Sequence, residues 1–130
     1  MKLKLLLAGT AIAVAAVTGF AFASANDYAF EPVKTELTKG DDVTIAVRLV
    51  HKPTGKPVSD AVIIRTRIDM APEGMAAMAA PVKPSAASEP GTYAFTADLS
   101  MAGRWHFSLA AKVQGEPETV IGKITLTVKK

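Results

Sequence analysis

The 130-residue chain has no cysteine. That excludes a disulfide framework, a thiolate metal centre, an iron–sulfur cluster and a cysteine nucleophile. Only two histidines are present, and the composition is apolar and rich in Ala and Val, which leaves few groups for acid–base chemistry. Net charge is also small. Fifteen Lys and Arg stand against twelve Asp and Glu, and Lys2 and Lys4 lie in a segment expected to be removed, so the remainder is close to neutral. A nearly neutral domain with scattered charges has no electrostatic footprint for nucleic acid. Catalytic patterns are missing as well: no Ser/His/Asp spacing, no Gly-rich nucleotide loop after a strand and no paired acids stand out. Asp41-Asp42 fits a turn, and the chain reads as not an enzyme. Its length allows one domain.

What is present begins with an export signal. Lys2 and Lys4 precede Leu5–Phe22, which carries no charge and is almost wholly apolar. Small residues follow, with Ala-x-Ala at Ala21–Ala23 and again at Ala23–Ala25. This is the layout of a secretory signal peptide over residues 1–25, with cleavage predicted after Ala25 and Ala23 as the alternative. An uncleaved anchor is the competing reading, since the run is near the lower length for crossing a bilayer. No twin arginine precedes the run, so the general secretion route and a periplasmic location are expected. With no cysteine to carry lipid, a lipoprotein is excluded.

Residues 26–130 have the size of an immunoglobulin-like domain and read as an all-β antiparallel sandwich. Lys34–Leu37 is a weak first strand. Val43, Ile45, Val47 and Leu49 alternate with more polar neighbours, as do Val62, Ile64, Thr66 and Ile68. Tyr93–Leu99, Trp105–Val113 and Val120–Val128 repeat this period of two, which marks half-buried strands. Turn residues separate them, as in His51–Pro57 and Gln114–Glu118. Two sheets burying such faces are expected to fold without disulfides.

Residues 70–90 break the rhythm. Met70, Met75 and Met78 fall within nine residues, and prolines stand at 72, 81, 84 and 90. The segment is predicted to be a loop of about twenty residues, a length usually tied to function or disorder. Thioether sulfur is a soft, neutral ligand suited to Cu(I). Met75 and Met78, three apart, would share one side of a helical turn, with Met70 at the preceding strand end. Downstream, Met101 lies in a turn and Trp105 starts a strand. If Trp105 points inward, His106 points outward with a free imidazole nitrogen. Met70, Met75, Met78, Met101 and His106 are therefore the candidate metal ligands. The same methionines read equally well as gap-fillers over the end of a core, or as an adaptable contact surface for a protein partner.

Ile68–Met75, Glu89–Tyr93 and Met101–Trp105 carry a resemblance to the YtkA-like/FixH family of small exported domains. Its most specific parts are Gly91-x-Tyr93 and Met101-x-Gly103-x-Trp105, with a methionine-bearing segment upstream. The resemblance covers roughly residues 30–128. It implies an immunoglobulin-like sandwich outside the cytoplasmic membrane and a role beside copper efflux or copper-oxidase assembly. Met70, Met75, Met78 and Met101 fall on the methionine-bearing motifs; Gly91, Tyr93, Gly103 and Trp105 read as structural. The expected function is a periplasmic accessory that binds Cu(I) and passes it to an efflux adaptor or oxidase-assembly partner. The alternatives are a metal-free interaction module of an envelope complex and a small-molecule binder using the loop as a lid.

Overall fold

A computed structural model describes residues 25–87 and 89–130. The expected leader, apart from Ala25, lies outside the described residues. Among the described residues ten strands follow one another: β1 (Tyr28–Pro32), β2 (Glu36–Thr38), β3 (Gly40–His51), β4 (Lys56–Pro57), β5 (Val62–Met70), β6 (Met75–Ala80), β7 (Val82–Ser85), β8 (Thr92–Leu99), β9 (Gly103–Lys112) and β10 (Val120–Lys129). One sheet runs β1-β3-β8-β7, with β4 also paired to β3; the other runs β2-β10-β9-β5-β6. Neighbours are antiparallel except β2, which lies parallel to β10.

This order is the immunoglobulin plan. Strands β1, β3, β8 and β7 correspond to A, B, E and D of one sheet, and β5, β9 and β10 to C, F and G of the other. β2 carries the first strand across to the second sheet, and β6 is added beside the C strand.

The alternating apolar positions explain why these segments are strands. Ile45, Val47 and Leu49 of β3 and Phe95, Ala97 and Leu99 of β8 are buried from one side. Ile68 of β5, Trp105, Phe107 and Leu109 of β9 and Ile124, Leu126 and Val128 of β10 meet them from the other. Phe95 and Phe107 join the two sheets through an edge contact, with ring centroids 5.3 Å apart at 73°. Such pairs add about 0.5–1.5 kcal/mol beyond burial. At the end of the sandwich near residue 25, Leu49, Val113 and Val120 form a smaller cluster. There the Tyr28 hydroxyl donates to Glu116 Oε2 at 2.9 Å. Burial and then that carboxylate push the Tyr28 pKa up to about 12.

Two expectations are corrected. β1 precedes the predicted first strand, and the paired residues of that weak strand are Glu36–Thr38. The expected twenty-residue loop is instead a 3-10 turn (Ala71–Glu73) followed by β6 and β7. Alternation was invisible there because both are edge strands. Met75–Ala79 are exposed at every position, so no buried face imposes a period. Pro84 within β7 is tolerated at an edge because one side needs no ladder donor.

Candidate functional site

The connection between β5 and β6 is built by local polar bonds. Asp69, near the end of β5, accepts a hydrogen bond from the Ala71 N–H at 3.0 Å and another from Arg67 Nε at 2.8 Å. The backbone bond is the main reason its carboxyl is held below the usual range, with Arg67 adding to it. Pro72 lies in the 3-10 turn, and Gly74, at φ 76°, adopts the left-handed conformation that ends it. Such a backbone suits glycine because a Cβ would be strained there.

Glu73 then ties this turn to the start of β9. Its Oε2 accepts from the Arg104 backbone N–H at 2.9 Å and from Arg104 Nε at 3.1 Å, while the same guanidinium donates to the Pro72 carbonyl at 3.0 Å. The Arg104 amide, followed by its side chain, holds the Glu73 carboxyl below the ordinary range. Two residues before Gly103, the Met101 carbonyl accepts from the Trp105 indole N–H at 3.1 Å. The β5–β6 and β8–β9 connections therefore meet at one end of the sandwich, each anchored to β9.

The five candidate ligands divide sharply. Met70 is 1% exposed and belongs to the central core. Its Cε lies only 2.9 Å from where a Cβ on residue 103 would sit, so Gly103, at φ 138°, leaves the space that Met70 fills. Met70 therefore packs in the core. Met75, Met78 and Met101 are 37%, 39% and 38% exposed. Met75 is the cross-strand partner of Met70. The helical turn expected for Met75 and Met78 is a bulged edge: β6 pairs through Met75, Ala79 and Ala80, and residues 76–78 have no partner on β5. Arg67 donates to the Ala76 carbonyl at 2.9 Å and so satisfies part of that bulge.

His106 points outward, as strand parity predicts. It stands opposite Asp69 and Thr125, between the buried Trp105 and Phe107. The sheet therefore separates its imidazole from the Met70 thioether. Among the described residues, no group of three or more His, Asp or Glu is arranged to hold a metal ion. Soft coordination at this end would depend on the three exposed sulfurs.

Arg67 and Asp69, two apart on β5, are joined at 2.8 Å. Sequence reading missed Glu73 and Arg104. They are 31 residues apart, and only the adjacency of the β5–β6 turn to β9 unites them; the one available cue was an acid placed directly after Pro72.

A family profile described as YtkA-like matches residues 22–110. Among solved structures, the chain is similar to the crystal structure of the Lin-41 filamin domain, at 17% identity and a TM-score of 0.45 over 79% of this chain and 92% of that one. It is also similar to the ZirS C-terminal domain, at 15% identity and a TM-score of 0.42 over 82% of this chain and 68% of that one. No curated protein sequence matches it. With the profile spanning most of the chain, including both methionine-bearing connections, the protein belongs to the YtkA-like family.

Proposed function

We propose that the protein is a non-catalytic, periplasmic Cu(I)-handling accessory. Met75, Met78 and Met101 take up the ion at the rim of the sandwich and pass it to an efflux adaptor or oxidase-assembly partner. Met70 supports the rim from inside, and His106, across the sheet from Met70, is not among these ligands. The observation that carries this reading is the contrast in exposure: Met70 is sealed in the core, while Met75, Met78 and Met101 stay partly open to solvent. A thioether kept at the surface remains available as a soft donor.

Transfer follows from the same geometry. Exposed thioethers bind a soft ion singly and reversibly, so a partner's sulfur displaces them one at a time. The rim is nevertheless held in shape by Glu73–Arg104 and Trp105–Met101, which lowers the ordering cost of gathering its donors.

The test is a Cu(I) titration of the purified protein against a competing chelator. One Cu(I) per chain is expected, with little affinity for Zn(II) and loss of binding in Met75→Ala/Met78→Ala. Unchanged affinity in that double variant contradicts the assignment.

A further inference from the structure

Strand β6 does not cover β5. It pairs with Ile68, Asp69 and Met70 alone, whereas Val62–Arg67 are paired on one side only, to β9. Among the described residues no strand lies against their other side. Alternate residues of an antiparallel strand turn their N–H and C=O groups toward each neighbour, so this stretch presents unclaimed backbone groups. The facing edge of the opposite sheet is β7, only four residues long and containing Pro84. Between the two edges runs a groove of about 410 Å³, lined by Ile63, Ile64, Arg65 and Pro84 and by Tyr93 and Phe95 of β8. A bulge between Ile63 and Arg65 leaves Ile64 outside the β9 register, and Ile64 and Val62 are among the most exposed aliphatic residues.

Charge selects the occupant. Among the described residues, Arg65 is the groove's single charged lining residue and no acid lines it. Arg65 also takes no part in the ion pairs Arg67–Asp69, Arg104–Glu73 and Lys129–Glu36. We propose that the open edge of β5 docks an extended segment of a partner protein in which acidic and apolar residues alternate. The segment adds a strand to Val62–Arg67, lays apolar side chains along Ile64, Tyr93 and Phe95, and sets a carboxylate against Arg65. Two other occupants fit less well. A second copy pairing edge to edge would bring Arg65 and Arg67 against the same two cations, with no acid in Val62–Arg67 to offset them. Residues 1–24 of the chain itself carry Lys2 and Lys4 and no acid. The inference uses no methionine and goes beyond the copper reading, which can fail without it.

The experiment titrates isotopically labelled protein, with a Cu(I) chelator present throughout, with two synthetic peptides of about eight residues, a common strand length. One alternates Val and Glu, the other Val and Lys. The Val/Glu peptide is expected to shift the amide resonances of Val62–Arg67 and slow their hydrogen exchange. Arg65→Glu, an exposed change that leaves the rest of the amide spectrum in place, is expected to weaken that peptide about tenfold and strengthen the Val/Lys peptide. Absence of shifts in Val62–Arg67 at millimolar peptide, or equal affinity in Arg65→Glu, overturns the proposal. Sedimentation of the free protein is expected to show a monomer. A dimer abolished by Ile64→Asp overturns the proposal by making a second copy the occupant.

Discussion

Glu73 and Arg104 are joined twice, once through the Arg104 backbone N–H and once through its guanidinium, at 2.9 and 3.1 Å. A side chain from the β5–β6 connection thereby satisfies the backbone at the entry to β9. Replacing Glu73 by Gln keeps an acceptor but removes the charge that strengthens both bonds. Faster hydrogen exchange at the Arg104 amide is expected in Glu73→Gln, with exchange in the central strands unchanged. Protection equal to that of the parent contradicts the strap.

The same carboxylates set an acid limit. Glu73 and Asp69 are both held below their ordinary values, each chiefly by a backbone N–H, from Arg104 and Ala71 respectively. Because the folded pKa is the lower one, their stabilising contribution is complete above the ordinary carboxylate range and disappears as pH falls through the folded values. Unfolding midpoints measured from pH 7 downward should fall below the ordinary carboxylate range. In Glu73→Gln/Asp69→Asn that fall should be shallower.

Met70 separates packing from ligation. Met70→Ala is expected to cost about 2–5 kcal/mol in denaturant unfolding, as for other buried large-to-small changes. The variant should retain one Cu(I) per chain in conditions where it remains folded. A stability close to the parent's, with copper binding lost, would reverse the two roles.

Gly103 is the complement of Met70. An added methyl would meet Met70 Cε at 2.9 Å on a backbone at φ 138°. Gly103→Ala is expected to destabilise the domain by about 1–3 kcal/mol through crowding and backbone strain. In the Met70→Ala background the crowding part should vanish, so the two changes should be non-additive in a double-mutant cycle.

Trp105→Phe tests the other anchor. The indole is buried and donates to the Met101 carbonyl at 3.1 Å. Loss of that bond and of part of the ring is expected to cost about 1–3 kcal/mol by circular dichroism. It should also weaken Cu(I) affinity by freeing the Met101 turn; the parent's affinity in the variant would separate the anchor from binding.

The principal strands were legible because each buries one face. Val43–Leu49, Tyr93–Leu99, Trp105–Val113 and Val120–Val128 alternate for that reason, and the inward Trp105 and outward His106 followed directly. β6 and β7 were hidden for the converse reason, since residues exposed on an edge leave no period. Tyr28–Pro32 was missed because its burial is only partial at most positions. At the rim, the sequence disclosed which residues carry sulfur but not which of them the core would enclose. Met70 and Met75 are alike in type and are cross-strand partners, yet one is sealed by Gly103 and the other is open. That difference arises from contacts more than thirty positions apart, which spacing alone does not encode.

Copper X-ray absorption of the Cu(I)-loaded protein tests the central claim most directly. Thioether sulfur in the first coordination shell, without imidazole scattering and lost in Met75→Ala/Met101→Ala, is the expected result. A shell of nitrogen and oxygen alone, or one that survives the double substitution unchanged, would contradict the assignment of the exposed methionines as the copper ligands.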